Sequence, residues 1–465
     1  MRVLHVIAGA KTGGAETFAQ DAITALAARG IEQRVLTRPH TLALARFAEA
    51  GVPVETLGFS HLDRWLGAPM RIRKLATEFR ADIVHAWMGR AASFVPARMP
   101  CPVIGWFGGP YDLKYYRTSD FFVGVTHDIA RHIVASGGGV NRTLVVHTFG
   151  TLPEGPPVRR VDLDTPEDAP VLLTLSRMHR KKGIDTLLQA LASLPGAYLW
   201  LAGDGPDLAE YQDLAKRLGL SDRVRFLGWR TDRRALLEAA DICVLPSRYE
   251  PFGTVIVEAW STRRPLVATM ADGARQYVRD GHDGLLCPID DVSTLTQCLA
   301  RVIADPSLRE SLVANGEESY RRTFHRDVVI ERLVATYGRA TRIGPRAAAT
   351  TVDIRTLDQS LVDDVAADLA DVDADATRIR DAAQAAVAHA GGGVRETDRA
   401  PDAALLALSG AHSFAVGGCL RQRITLWRDE EFDIAAENVD LPALRTRYGK
   451  FLRPLADRLH RRRAA

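Results

Sequence analysis

Short apolar runs recur along the chain as far as residue 342, and most are separated by stretches patterned for amphipathic helices. The first set is Val3–Ala8, Val35–Thr37, Ile83–Ala86, Val103–Phe107, Phe121–Val125 and Leu144–His147, with a helix predicted from Gly14 to Arg29 behind the first run. Continuous apolar strands alternating with helices predict a parallel sheet covered on both faces. The rhythm stops from Thr151 to Asp168, where four prolines, several acids and Arg159-Arg160 mark an interdomain linker. It resumes with Val171–Ser176, Tyr198–Ala202, Val224–Leu227, Ile242–Leu245, Leu266–Thr269 and Gly284–Cys287. Two doubly wound α/β units in tandem, residues 1–150 and 169–342, imply a cleft between the carboxyl ends of their strands, where such sheets bind ligands.

Residues 343–465 have a different character and read as a mostly helical extension. Val352 to Asp381 carries nine Asp against three Arg on an Ala-rich background, Gly391-Gly392-Gly393 interrupts it, and Leu405 to Trp427 is apolar enough to pack. Lys450 to Ala465 then holds six basic groups and one Asp. No repeat and no chemical motif stands out there.

Composition narrows the classes. With 465 residues the chain is long enough for two large cores plus an appendage. A formal charge of +3 argues against a whole-chain nucleic-acid binder. Residues 1–150 alone hold seventeen Lys/Arg against eleven Asp/Glu, which suits an anionic lipid surface or a phosphorylated glycan as readily as an evenly solvated face. Cys101, Cys243, Cys287, Cys298 and Cys419 are scattered and never in CxxC spacing, as expected of reduced thiols. Met1 to Ala10 reads as a buried first strand rather than a signal peptide. No apolar run approaches the roughly 20 residues that cross a bilayer. The expectation is a cytoplasmic protein, peripheral at most on the inner face of the cytoplasmic membrane.

Four segments of the second unit carry candidate chemistry. Ser176 to Gly183 follows a predicted strand and holds Arg177 and Lys182 in a basic loop, where helix amides and fixed cations both favour a diphosphate. Gly203-Asp204-Gly205-Pro206 lets backbone approach a ligand or a neighbouring loop closely. Arg223 to Trp229 is a strand and turn, near a nucleobase by position only. Ser247 to Gly253, with Glu258 on the following helix, is the most informative. Pro251 and Gly253 shape a turn whose amides face an anion, and Glu250 and Glu258 can accept from a sugar ring and from ribose hydroxyls. The plainer alternative is that Glu250 caps the helix and Glu258 pairs with an arginine, such as Arg263 or Arg264.

Taken in order and separation, these segments resemble glycosyltransferase family 4. Glu250 and Glu258 match the E-x7-E signature in its EPFG form. Arg177 and Lys182-Gly183 match R-x4-KG, Gly203 to Pro206 looks like G-x-GP, and Arg223 to Gly228 like RV-x-FLG. The resemblance covers about residues 1–341 and implies a GT-B architecture, two Rossmann-like domains facing across a cleft. It implies that Arg177 and Lys182 neutralise the donor diphosphate, that Glu250 with the backbone of Phe252 and Gly253 holds the sugar, and that Glu258 takes the ribose. In the first domain, Gly13-Gly14-Ala15-Glu16 is similar to a glycine loop that reaches the donor phosphates, with Gly14 as the contact. His85, ending Asp82-Ile83-Val84-His85, resembles a histidine that faces the active site. Asp112 and His127 are weaker candidates. The family's GG-x-x-E falls on Asp272, Gly273 and Gln276 here and is not carried over.

The implied function is transfer of a sugar from a UDP-, GDP- or ADP-linked donor to a hydroxyl of a glycan or lipid-linked acceptor, with retention, without metal or other cofactor, in cell-envelope polysaccharide or lipopolysaccharide synthesis. A nucleotide-sugar 2-epimerase and a non-catalytic sugar-nucleotide-binding subunit are the alternatives.

Overall fold

The computed structural model describes residues 1–9, 13–39 and 41–345. Everything read above from residue 346 onward, including the acidic Ala-rich stretch, Cys419 and the basic end, lies outside the described residues.

Two parallel sheets form the frame. The first contains β1 (Arg2–Ile7), β2 (Glu32–Thr37), β3 (Val54–Thr56), β4 (Ile83–Trp87), β5 (Val103–Phe107), β6 (Phe121–Gly124) and β7 (Thr143–Val145), in the order β3-β2-β1-β4-β5-β6-β7. The second contains β8 (Val171–Leu175), β9 (Tyr198–Ala202), β10 (Val224–Gly228), β11 (Ile242–Leu245), β12 (Leu266–Thr269) and β13 (Leu285–Cys287), in the order β10-β9-β8-β11-β12-β13. Strands such as β5, β8 and β11 are apolar and buried at every residue because helices cover both faces. Strand order reverses beside β1 and β4 in one sheet and beside β8 and β11 in the other, so each sheet has one switch point where ligands bind.

Only β3 has no counterpart in the apolar pattern, since Val54-Glu55-Thr56 is short and part-exposed. The Thr151–Asp168 segment contains no strand and only a 3₁₀ turn at Arg160–Leu163. Arg160 fixes it to the second sheet through Asp241 at 2.8 Å and the Ala239 and Ala169 carbonyls.

The chain returns to the first sheet at its end. A π-helical turn at Tyr320–Phe324 follows the Pro306–Ser319 helix, and the Arg326–Ile343 helix then packs beside β4 and the Gly14–Ala28 helix. Arg339 and Arg142 stitch it down through the Asn141 and Gly344 carbonyls. At the turn Phe324 is buried against His147, Phe252, Trp260 and Tyr277, an aromatic cluster that joins the two units beside the cleft.

Candidate active site

The switch point of the second sheet brings two loops together. Ser176–Gly183 leaves β8 and Pro246–Gly253 leaves β11, and the amides of Arg248 and Tyr249 both donate to the Lys181 carbonyl, at 2.8 and 3.1 Å. Gly183 sits at φ 63°, and a Cβ there would overlap the Pro246 carbonyl oxygen, so glycine is needed for both conformation and approach. Arg248 pins the junction with a bidentate pair to Asp185 at 2.7 and 2.9 Å, a bond to Asp290 at 2.6 Å and one to the Arg180 carbonyl at 2.6 Å. The Gly203–Pro206 segment turns out to serve this loop. Cβ atoms at Gly203 and Gly205 would overlap the carbonyl oxygens of Ser176 and Met178, so loop packing alone accounts for the glycines.

The charges expected at a diphosphate and sugar are carried by these loops. Lys182 Nζ lies 2.5 Å from Glu250 Oε2, both side chains being largely shielded. Arg177 is exposed, and among the described residues it has no carboxylate partner. Gly253 caps the Thr254–Ser261 helix, its carbonyl accepting from the Ile256 amide at 2.9 Å, so the positive dipole end and the Thr254 and Val255 amides face the same place. Phe252 is buried 5.3 Å from the Tyr277 ring, and the Gly273 amide donates to the Glu250 carbonyl at 2.7 Å, so the turn is held from behind.

Glu258 lies on the same helix with its side chain fully buried. Its Oε1 accepts from Arg233 Nη1, while Oε2 is buried with no hydrogen-bond partner. Burial pushes the carboxyl up to about 7 against the pull of Arg233. The alternative read from the sequence, that Glu258 pairs with an arginine, is what forms, but the partner is Arg233 and not Arg263 or Arg264. Arg263 pairs with Glu317 at 2.6 Å, and Arg264 donates to the Thr262 and Ala240 carbonyls. Arg233 also reaches the Thr151 carbonyl at 3.2 Å, and a Cβ on Gly150 would stand 2.7 Å from Glu258 Cγ. The buried carboxyl thus sits directly against the start of the linker.

The first sheet contributes less than expected. Gly14 is exposed at the start of its helix with open space where a Cβ would be, as a backbone approached by a ligand requires. The Glu16 carboxylate lies over Gly9 and Gly13, in the space a Cβ at either position would take. His85 is corrected: β4 runs on to Trp87, so the histidine is mid-strand, not at the strand end, and it is fully buried. Its Nδ1 is 2.7 Å from Tyr337 Oη, its ring stacks on Trp87 at 4.1 Å, and Nε2 has no partner. Burial, then the neighbouring His5, holds its pKa well below the usual range and keeps it neutral. Asp112 is exposed, caps a 3₁₀ turn and pairs with Lys114 at 2.7 Å. His127 is buried at the start of the His127–Ala135 helix, 5.9 Å from the His147 ring.

Arg223 and Trp229, from the segment placed near a nucleobase by position, divide. Arg223 donates to the Leu194 and Ala197 carbonyls at 2.7 and 2.9 Å, a structural clamp. Trp229 is open at the carboxyl end of β10. Two contributors gave no motif. One is Arg233. The other is Gln276, which stands at the family's glutamate position: it accepts from the Asp128 amide at 2.9 Å and donates to the Asp272 carbonyl at 2.5 Å. Arg275 pairs with Asp128 as well, so this corner spans the two units.

Among the described residues no cluster of three or more His, Cys, Asp or Glu has metal-holding geometry, and no helix is long and apolar enough to cross a membrane. Cys101, Cys243, Cys287 and Cys298 are buried free thiols.

Known proteins are similar to this chain in sequence and in fold. A glycosyl transferase 4-like domain model matches residues 13–105, and a model described as glycosyl transferases group 1 matches residues 158–319. The lipopolysaccharide core biosynthesis glycosyltransferase LpsE of Rhizobium meliloti (strain 1021) is 36% identical over 334 residues, 71% of this chain and 97% of that protein. LpsD of the same organism, also a lipopolysaccharide core biosynthesis glycosyltransferase, is 34% identical over 73% of this chain and 98% of its own length. In fold, the chain is similar to Anabaena HepE solved with UDP and glucose, with a TM-score of 0.63 and 22% identity over 73% of this chain and 99% of that one.

Proposed function

The chain belongs to glycosyltransferase family 4, and on that premise we propose that it transfers a sugar from a nucleotide-sugar donor to a hydroxyl of the lipopolysaccharide core, with retention and without a metal ion. The observation that carries the reading is the convergence of Arg177, the Lys182–Glu250 pair and the Thr254–Ser261 helix N-terminus on two adjoining loops at one switch point. A diphosphate arriving there meets two cations and unpaired amides. Lys182 then exchanges its carboxylate partner for phosphate, which frees Glu250 to accept from the sugar hydroxyls. Glu258, with one buried oxygen still unpartnered, accepts from the ribose.

As the bond to the sugar breaks, negative charge grows on the leaving diphosphate, and Arg177, Lys182 and the helix end stabilise that charge more than they stabilise the ground state. The acceptor hydroxyl attacks from the face the diphosphate leaves, delivering its proton to the departing oxygen. His85, sealed behind Trp87 and Tyr337, takes no part. The lipopolysaccharide core acceptor is supported by the two relatives, which span nearly their whole length on this chain. Such an acceptor is lipid-linked, which places the reaction at the cytoplasmic face of the membrane where nucleotide sugars are made.

The test is turnover of UDP-, GDP- and ADP-sugars with and without truncated core acceptor, in EDTA. Acceptor-dependent release of nucleoside diphosphate and an α-linked product from an α-linked donor support the proposal. Epimerised donor without acceptor, or strict dependence on added divalent cation, overturns it.

A further inference from the structure

The first unit has an apolar surface that the transfer chemistry does not use. Leu62, Trp65, Leu66 and Met70 fall within nine residues and are 65%, 89%, 73% and 60% exposed. Isolated exposed apolar residues are ordinary, but a cluster of four this open marks a surface that meets something. The His61–Trp65 helix buries no side chain, so packing does not explain its presence. Instead it is held in place by polar devices. Ser60 and Asp63 form a complete capping box, with bonds of 3.1 and 2.8 Å. Arg64 reaches Ser93 at 2.9 Å and lies over the Phe94 ring at 4.2 Å, while Phe59 packs beneath at 5.2 Å from Phe94.

We infer that this patch is an interfacial docking site for an anionic lipid bilayer. Charge decides between occupants. Residues 61–98 hold seven Lys/Arg against three Asp/Glu; all three acids have partners within the protein, and of the cations Lys74 pairs with Glu78 and Arg71 with Glu55. Asp63 closes the capping box, Asp82 accepts from the Arg2 amide at 2.7 Å, and Glu78 lies 3.7 Å from Lys74. The patch therefore presents Trp and Leu amid a basic surround, the composition of a segment that sits at headgroup level on an anionic leaflet. An apolar protein partner would offer no counter-charge to the other five cations, and a second copy would set like charges against each other.

Its place in the fold fits the chemistry. The sheet is parallel, so the segment leaving β3 lies on the same side as the Gly13–Gly14 loop leaving β1 and the Met88–Phe94 helix leaving β4. Docking through Leu62–Met70 sets the open side of the first unit at the lipid surface, where the saccharide of a glycolipid stands. This last step rests on the glycolipid acceptor proposed above; the docking itself does not.

The experiment uses the full chain and vesicles of phosphatidylglycerol and phosphatidylethanolamine, with phosphatidylcholine vesicles as the neutral control. Wild type should float with the anionic vesicles and not with the neutral ones. The Leu62→Ser, Trp65→Ser, Leu66→Ser triple variant removes only exposed atoms and should fold. It should bind at least tenfold more weakly, with an unchanged rate on a water-soluble acceptor fragment. Equal vesicle binding by the two proteins, or no binding by wild type, overturns the inference. So does a wild-type dimer that the triple variant converts to a monomer. If vesicle binding behaves as expected while no donor is consumed, the glycosyl-transfer reading fails and the docking surface stands.

Discussion

Replacing Glu258 with Gln tests the buried carboxyl directly. The side chain is sealed from solvent, and desolvation outweighs the Arg233 contact, so the group titrates at about 7 in the folded protein and near 4.3 when unfolded. Since the folded value is the higher one, the stability held by the protonated form is fully present below the unfolded value and is lost as pH rises through 7. The whole displacement corresponds to about 4 kcal/mol at 1.36 kcal/mol per pH unit, and roughly 2 to 3 kcal/mol of it falls between pH 5 and 8. Glu258→Gln keeps an acceptor for Arg233 and carries no charge, so it loses nothing over that range. Thermal melts of both proteins from pH 5 to 8 should show the variant gaining on wild type by roughly 4–12 °C as pH rises, at about 2–4 °C per kcal/mol for a melting unit of about 150–250 residues such as the second unit. A gap between the two melting curves that stays constant across pH would refute the argument. Donor binding gives the complementary sign. Ribose hydroxyls donate to the ionised form, so wild-type affinity for nucleoside diphosphate should rise from pH 6 to 8, and the Gln variant should show a flat profile.

Arg177→Ala should weaken bare nucleoside diphosphate about tenfold, the loss of one charge-assisted bond of about 1.5 kcal/mol, without lowering the melting temperature; calorimetry that finds wild-type affinity moves the phosphates elsewhere. Glu250→Gln should cut kcat at least tenfold and change diphosphate affinity little, because its contact is with the sugar; a wild-type kcat would remove Glu250 from the reaction. Tyr337→Phe deprives buried His85 of its one hydrogen-bond partner and should cost about 1–3 kcal/mol of stability, seen as a lowered melting temperature with kcat intact. If kcat falls instead, His85 belongs to the chemistry after all.

The frame was legible because both sheets are parallel and sealed by helices, so their strands are written as apolar runs; Tyr198–Ala202, Ile242–Leu245 and Leu266–Thr269 end where the runs end. β3 was not, since an edge strand carrying Glu55 has no such run. In the site, charged residues on loops leaving β8 and β11 could be found, because a phosphate site needs cations and glycines at a strand end. What those residues touch could not. Gly203 reads equally well as a ligand contact or a loop contact, and the Ser176 carbonyl decides for the second. His85 was misplaced by two residues, because the strand continues through Ala86-Trp87 without any polar break. Arg233 carries no spacing signal, and Gln276 falls at the GG-x-x-E spacing without the family's glutamate, so neither contact could be read. Their roles come from the side-by-side placement of distant segments, 25 residues from Glu258 in one case and 148 from Asp128 in the other.

The contacts joining the two units are of two kinds, and the difference bears on how the cleft works. On one side, Phe324, Phe252, Tyr277 and His147 form an apolar joint with ring centroids 5.1–6.4 Å apart. Apolar packing is non-directional, so such a joint tolerates small rotations with little loss. Beside it and at the linker the contacts are polar and specific: Gln276 and Arg275 on Asp128, and Arg233 on Thr151 and Glu258. These hold one geometry and release when it changes. Arg233 belongs to both the linker and the carboxyl assigned to the ribose. Any ligand that takes a share of Glu258 therefore weakens the hold of Arg233 on it and alters the restraint at Thr151. If Glu258 takes the ribose as proposed, occupancy of the donor site and the setting of the linker would be coupled through the Arg233 guanidinium.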